Sequence, residues 1–180
     1  MRCFISIDLP KEVRNELSEI QKRIYSNDTK LLNVKPDNIH ITLKFLGEID
    51  GIQLDKIKGV LSKLKFKRFK ARLNSMGVFP DENFIRIVWV GIEPKEKMHE
   101  IHDTLDNELH REGFPLDNEF ESHATLARVK TVKHKRAFSE LLNKIKINPL
   151  EFEINEISLK ESILTPEGPI YSDIMKIKLQ

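Results

Sequence analysis

The sequence predicts an α+β fold built from one module used twice. Three observations carry this. A strand–helix–strand–helix–strand order occurs once and then again. The tripeptide Pro-Lys-Glu stands at 10–12 and at 94–96, and a His-x-Thr-Leu motif stands at His40–Leu43 and at His123–Leu126. The two motifs are offset by 84 and 83 residues, and the strands that close the halves end at Pro80 and near Pro166, 86 residues apart. Matches in one order at nearly one spacing define a repeat. The halves are residues 1–83 and 84–180, approximately; each is too small to bury much surface alone, so they are expected to pack as one bilobal domain.

Each element follows from its pattern. Phe4–Leu9 is an apolar strand-like run ended by Pro10. Val13, Leu17, Ile20 and Ile24 then recur every three or four residues, which places them on one helix face. Ile39–Gly47 alternates with period two, and Leu54, Ile57, Leu61 and Leu64 mark a second helix. A strand from Lys70 to Phe79 closes the first half. The second half runs through a strand at Phe84–Val90, a helix on Met98, Ile101, Leu105 and Leu109, and a strand at Ser122–Arg128. It ends with a helix on Phe138, Leu141, Leu142 and Ile145, one strand from Phe152 to Leu164, and a last strand near Tyr171–Leu179.

Composition excludes several classes. At 39% hydrophobic and 32% charged, the chain has enough apolar residues for a core, which argues against disorder. Its longest apolar run, Ile87–Ile92, is far short of the ~20 residues of a membrane span. The N-terminus carries no signal-peptide pattern, so a cytoplasmic protein is expected. A net charge of +2 is too small for nonspecific duplex binding. The single cysteine, Cys3, precludes an intrachain disulfide and a Cys-rich zinc site. Lysine (21) and glutamate (18) far outnumber glutamine (3), a bias of hyperthermophile proteins.

The chemistry lies in the repeated motif. Successive strand side chains point to opposite faces, so His40, Thr42 and Lys44 are expected on one face and Ile39, Ile41, Leu43 and Phe45 on the other. His123 and Thr125 share a face in the second copy. A pseudo-twofold relation then sets an imidazole and a hydroxyl on each wall of one cleft. That combination suits a phosphate ester: one neutral imidazole takes a proton from water while the other, protonated, gives one to the leaving oxygen. The hydroxyls donate to nonbridging oxygens, and the scheme needs no metal and no cofactor. His99 and His102 on the third helix read as surface or boundary residues, His110 lies near that helix's C-terminus, where a cationic imidazole is favourable, and His134 lies among Lys133, Lys135 and Arg136. That cluster, with Lys63, Lys65, Lys67, Arg68 and Lys70, reads either as a guide for an RNA backbone or as solvated charge. Phe4 and Phe45 are candidates for stacking a base, with core packing the alternative for Phe45.

The segments Arg2–Leu9, His40–Glu48, Val88–Gly91 and His123–Arg128 together resemble the 2H phosphoesterase superfamily, and within it the RNA 2′,3′-cyclic phosphodiesterases, also called 2′-5′ RNA ligases. The resemblance implies two antiparallel sheets flanking a central cleft, with helices outside. It implies hydrolysis of an RNA terminal 2′,3′-cyclic phosphate to a 2′-phosphomonoester, with His40 as proton donor to the 3′ oxygen and His123 as the acceptor that activates water. Thr42 and Thr125 would hold the phosphate, and Arg128 would contact it. Strict alternation conflicts with that last role, because Arg128 lies five positions after His123 and falls on the opposite face unless the strand is interrupted near Ala127. The implied partner is RNA with a cyclic phosphate end, tRNA fragments among the candidates, met by a monomer. ATP-independent 2′-5′ ligation in the same cleft and a catalytically idle RNA or nucleotide binder are the alternatives. An adenylylating ligase is excluded, since the chain has neither a Lys-x-Asp-Gly stretch nor a P-loop.

Overall fold

The computed structural model describes residues 1–180. The first half of the chain runs β1 (Arg2–Asp8), α1 (Lys11–Arg23), β2 (Thr29–Asn33), a 3-10 turn (Pro36–Asn38), β3 (His40–Glu48), α2 (Gly51–Lys63) and β4 (Phe69–Asp81). The second runs β5 (Phe84–Glu93), α3 (Lys95–Arg111), β6 (His123–Val132), α4 (Lys135–Lys144), β7 (Glu151–Ile154), β8 (Glu156–Thr165) and β9 (Gly168–Lys178). No helix is long and apolar enough to cross a membrane.

The α+β class is as expected, with two refinements. The two sheets are halves of one curled antiparallel sheet, ordered β7-β4-β5-β6-β3-β1-β8-β9, with β2 also on β6. The halves are stitched between β3 and β6 by a single residue pair, Ile41 with Ala124. Beyond the stitch β3 departs, and β2 takes its place along Ala127–Val132 of β6. β2 thus covers the edge of β6 that β3 leaves, while β3 beyond Ile41 keeps a ladder only with β1.

The repeats also exchange parts. β4 of the first half pairs with β5 of the second, while β8 of the second pairs with β1 of the first. Helix α1 packs on β6. The run expected as one strand from Phe152 to Leu164 is divided at Asn155: β7 pairs with β4 and β8 with β1, so the chain crosses from one half-sheet to the other there. The short β2 lacks a clear alternating pattern and was not expected. The helix stripes are buried as their spacing requires, Val13, Leu17 and Ile20 on α1 and Met98, Ile101, Leu105 and Leu109 on α3. They join one continuous apolar cluster with both half-sheets.

The alternation of β3 and β6 is broken at matching points. On β3, Lys44 faces Ile5 of β1 and Thr42 faces Ser6, which leaves Leu43 as an extra residue. On β6, Ala127 faces Val88 of β5 and Thr125 faces Trp89, which leaves Leu126 extra. These are β-bulges, and each turns the following residues to the other face. The expected faces are therefore corrected for two residues: Lys44 is buried on the helix side, and Phe45, 71% exposed, emerges on the face of His40 and Thr42. Arg128, the repeat equivalent of Phe45, is likewise exposed.

Candidate active site

The stitch positions the two histidines. Each immediately precedes a residue of the bridging pair, so in an antiparallel register His40 lies diagonal to His123 on one face. Such diagonal neighbours are about 7–8 Å apart at the backbone. Thr42 and Thr125 complete the same face.

Both rings are held by one device. His40 Nδ1 lies 2.7 Å from the carbonyl oxygen of Asn38, and His123 Nδ1 lies 2.7 Å from that of Glu121, each two residues upstream. A carbonyl only accepts, so each Nδ1 carries the proton and donates it. That leaves both Nε2 atoms to do chemistry. Neutral His40 accepts from the Thr42 hydroxyl at Nε2, 2.9 Å away. The Asn38 turn is anchored in turn by its side-chain amide, which donates to the carbonyl of Pro169 at 2.9 Å on the β8–β9 hairpin.

Aromatic rings wall both imidazoles. Phe4 and Tyr171 flank His40, with ring centroids 5.0 and 5.4 Å away. Phe79 and Trp89 flank His123 at 4.9 and 5.7 Å. Trp89 lies so close to β4 that a Cβ on Gly77 would fall 2.2 Å from its ring, and so glycine is required there. Burial among these rings lowers the pKa of both histidines, because it penalises the charged imidazolium. The bonds to Asn38 and Glu121 oppose the shift, and at His40 the carboxylate of Asp8 opposes it too. Lys160 and His123 reinforce it at His40.

The bulge at Leu126 resolves the difficulty over Arg128 by turning it back to the cleft face. The charges of Arg128 and Arg2 act on the phenol of Tyr171, whose pKa is nevertheless raised by burial. A cleft of about 900 Å³ opens beside the pair, lined by Thr42, Phe45, Phe79, Asn118, Phe120 and His123 among others. Sequence alone assigned Phe79, Trp89, Phe120 and Tyr171 no role at the site; the one available signal was that Trp89 lies in the Val88–Gly91 segment that carries the resemblance.

Other residues read from sequence lie away from this centre. Arg68 and Lys70 meet Glu153 and Glu151, and Arg136 meets Glu140, all as exposed ion pairs. His134 faces Asp28 at 3.2 Å. His102 is corrected from boundary to buried: it is 4% exposed and stacks on Phe120. It forms with Asp106 and Asp117 the set nearest to a metal-ligand cluster, but the Lys44 ammonium already pairs with both carboxylates.

Two imidazoles, two hydroxyls and the exposed Arg128 thus share one face of the sheet, and Thr42 and His123 of this set line the cleft. Comparison with known proteins gives the class. The sequence model of the LigT-like phosphoesterases matches residues 7–89 and, a second time, residues 90–171. The chain belongs to this family and is an enzyme of its hydrolase class. It is 36% identical over 176 residues to the RNA 2′,3′-cyclic phosphodiesterase of Methanocaldococcus jannaschii, covering 97% of this chain and 98% of that one. It is 33% identical over 182 residues to the protein of the same name from Methanothermobacter thermautotrophicus, covering 99% of each. The crystal structure of a Thermus thermophilus protein superposes with a TM-score of 0.85 at 27% identity, covering 99% of this chain and 98% of that one.

Proposed function

We propose that this chain hydrolyses the terminal 2′,3′-cyclic phosphate of RNA to a 2′-phosphomonoester, with tRNA fragments among its substrates, as a cytoplasmic monomer. The single observation that supports it best is the matched pair of Nδ1–carbonyl bonds, which leaves two Nε2 atoms on one face across the Ile41–Ala124 stitch. His123 Nε2 takes a proton from water as its oxygen attacks phosphorus. The bond from phosphorus to the 3′ oxygen breaks, and His40 Nε2–H gives that oxygen its proton. The products are a 2′-phosphate and a free 3′ hydroxyl, and solvent returns the two imidazoles to their starting states. Thr42, Thr125 and Arg128 hold the nonbridging oxygens, where the charge resides. The chain is one bilobal domain of two repeats, and the repeat relation explains why each wall supplies the same pair of side chains.

A second reading, 2′-5′ ligation, places a ribose hydroxyl where water would sit and uses the same proton transfers. The cleft volume of about 900 Å³ favours considering it, since it leaves space beside a terminal nucleotide. One incubation separates these readings: an oligonucleotide ending in a 2′,3′-cyclic phosphate, with EDTA and a second oligonucleotide bearing a 5′ hydroxyl. A 2′-phosphate end is expected. A 3′-phosphate end would contradict the leaving group, a joined product would favour ligation, and unchanged substrate would leave only binding.

A further inference from the structure

Lys44 lies on the strand that carries His40 and Thr42, yet its side chain is 1% exposed on the opposite side of the sheet. The bulge at Leu43 sends it there. Its ammonium pairs with Asp106 of α3, donates to the carbonyl of Pro115 at 2.9 Å and reaches Asp117 at 3.0 Å. The backbone N–H of Asp117 donates to the other oxygen of Asp106 at 3.1 Å. Asp117 also faces Nε2 of His102 at 3.2 Å, while Nδ1 of His102 faces Asp103 at 2.9 Å. His102 stacks flat on Phe120, with centroids 4.1 Å apart and planes at 7°. Phe120 adjoins Glu121, whose carbonyl fixes the tautomer of His123.

We propose that Lys44 is a positioning residue for His123: through Asp106, Asp117 and His102 it fixes the 115–121 segment, and with it the Glu121 carbonyl that aims the imidazole. The repeat makes this specific. The position 85 residues before Asp106 is Gln21 of α1, and its amide donates to the carbonyls of Leu126 and Val34 at 2.7 and 2.8 Å. Both helices thus send a buried polar group to the bulged stretch of the other repeat's strand. In one copy a neutral amide suffices. In the other, a lysine stands where the repeat equivalent is Ala127, and Pro115 and Asp117 of the following loop are bonded to it. A buried pair of charges gives little net stability over apolar residues of similar volume, so its contribution beside the 115–121 segment is read as geometry.

This inference rests on the reading of His123 as the base, and its test separates the two. Lys44→Met with Asp106→Asn removes the buried pair and leaves the partly exposed Asp117 without its lysine, and Asp117→Asn alone weakens the loop's bonds to Lys44 and His102. Each is compared with wild type by kcat and KM on a nucleoside 2′,3′-cyclic phosphate, and by the ring Hε1 resonances of His40 and His123. We expect kcat to fall about 10–100-fold with KM within a fewfold, as misplacement of a reacting group costs on that order. The His123 resonance moves and that of His40 stays. Unchanged kcat, or equal shifts at both rings, would overturn the proposal. Should the double variant not fold, Asp117→Asn decides by the same two readouts. Should wild type itself not turn over the cyclic phosphate, the functional reading fails, and the resonances still report whether the network holds His123.

Discussion

At the scale of single residues, the site depends on which atoms carry protons. Each imidazole has its Nδ1 engaged by a carbonyl, and the proposed mechanism therefore runs through Nε2. Replacing His40 or His123 with alanine is therefore expected to lower kcat at least ~100-fold, measured on a cyclic-phosphate oligonucleotide; activity retained in either variant would remove that residue from the mechanism. Arg128→Ala would remove the proposed charge-assisted hydrogen bond to the phosphate, worth ~1.5–3 kcal/mol, so kcat/KM is expected to fall by about one to two orders of magnitude. Burial lowers the pKa of both histidines in the free protein, while a bound phosphate anion favours the imidazolium. The pH optimum of kcat/KM, which reports the free enzyme, is accordingly expected below that of kcat, which reports the complex. Coincident optima would contradict the idea that the substrate itself helps charge the acid.

At the scale of elements, two bulges decide the composition of the cleft. Were Leu43 and Leu126 to alternate regularly instead of bulging, Phe45 and Arg128 would both face the helices. Gln21 supports the second bulge, and Gln21→Leu takes the amide donor from the Val34 carbonyl and leaves the Leu126 carbonyl with the Val34 N–H alone. A loss of about 1–3 kcal/mol in denaturant unfolding is expected, together with reduced turnover through Arg128. A variant as stable and active as wild type would show that the bulge holds without it. Here lies the limit of sequence reading. Period-two alternation located both His-x-Thr pairs, because three residues are too few for a bulge to disturb. It failed further along the same strand, for Lys44 and Phe45, because a bulge adds one residue without any composition signal in these runs. The conflict between alternation and the family role of Arg128 was the only trace of it. The break at Asn155 was hidden for the same reason: β7 and β8 read as one run although they pair with different partners.

At the scale of the whole molecule, two repeats share one core, and the site exists only where they are stitched. The helix stripes, the strands and the doubling were legible because burial imposes periodicity on each of them. The exchange of β4 and β8 between half-sheets was not, because pairing partners leave no local pattern. The site also loads the fold. Both histidine pKa values are lowered on folding, so below about pH 6.5 the unfolded chain binds protons more readily than the folded one. The stability from neutral imidazoles is complete above that pH and is lost as pH falls through the folded-state values. A double alanine variant of His40 and His123 is thus expected to show a smaller drop in Tm between pH 8 and pH 5 than wild type; an equal drop would mean that the rings are not buried as described. The central claim, that two imidazoles with opposite duties meet at one phosphorus, is tested most directly by the pH profile of kcat/KM for wild type and the single alanine variants. Wild type should give a bell, His123→Ala should lose the acid limb and His40→Ala the alkaline limb, whereas a bell with both limbs intact in either variant would contradict it.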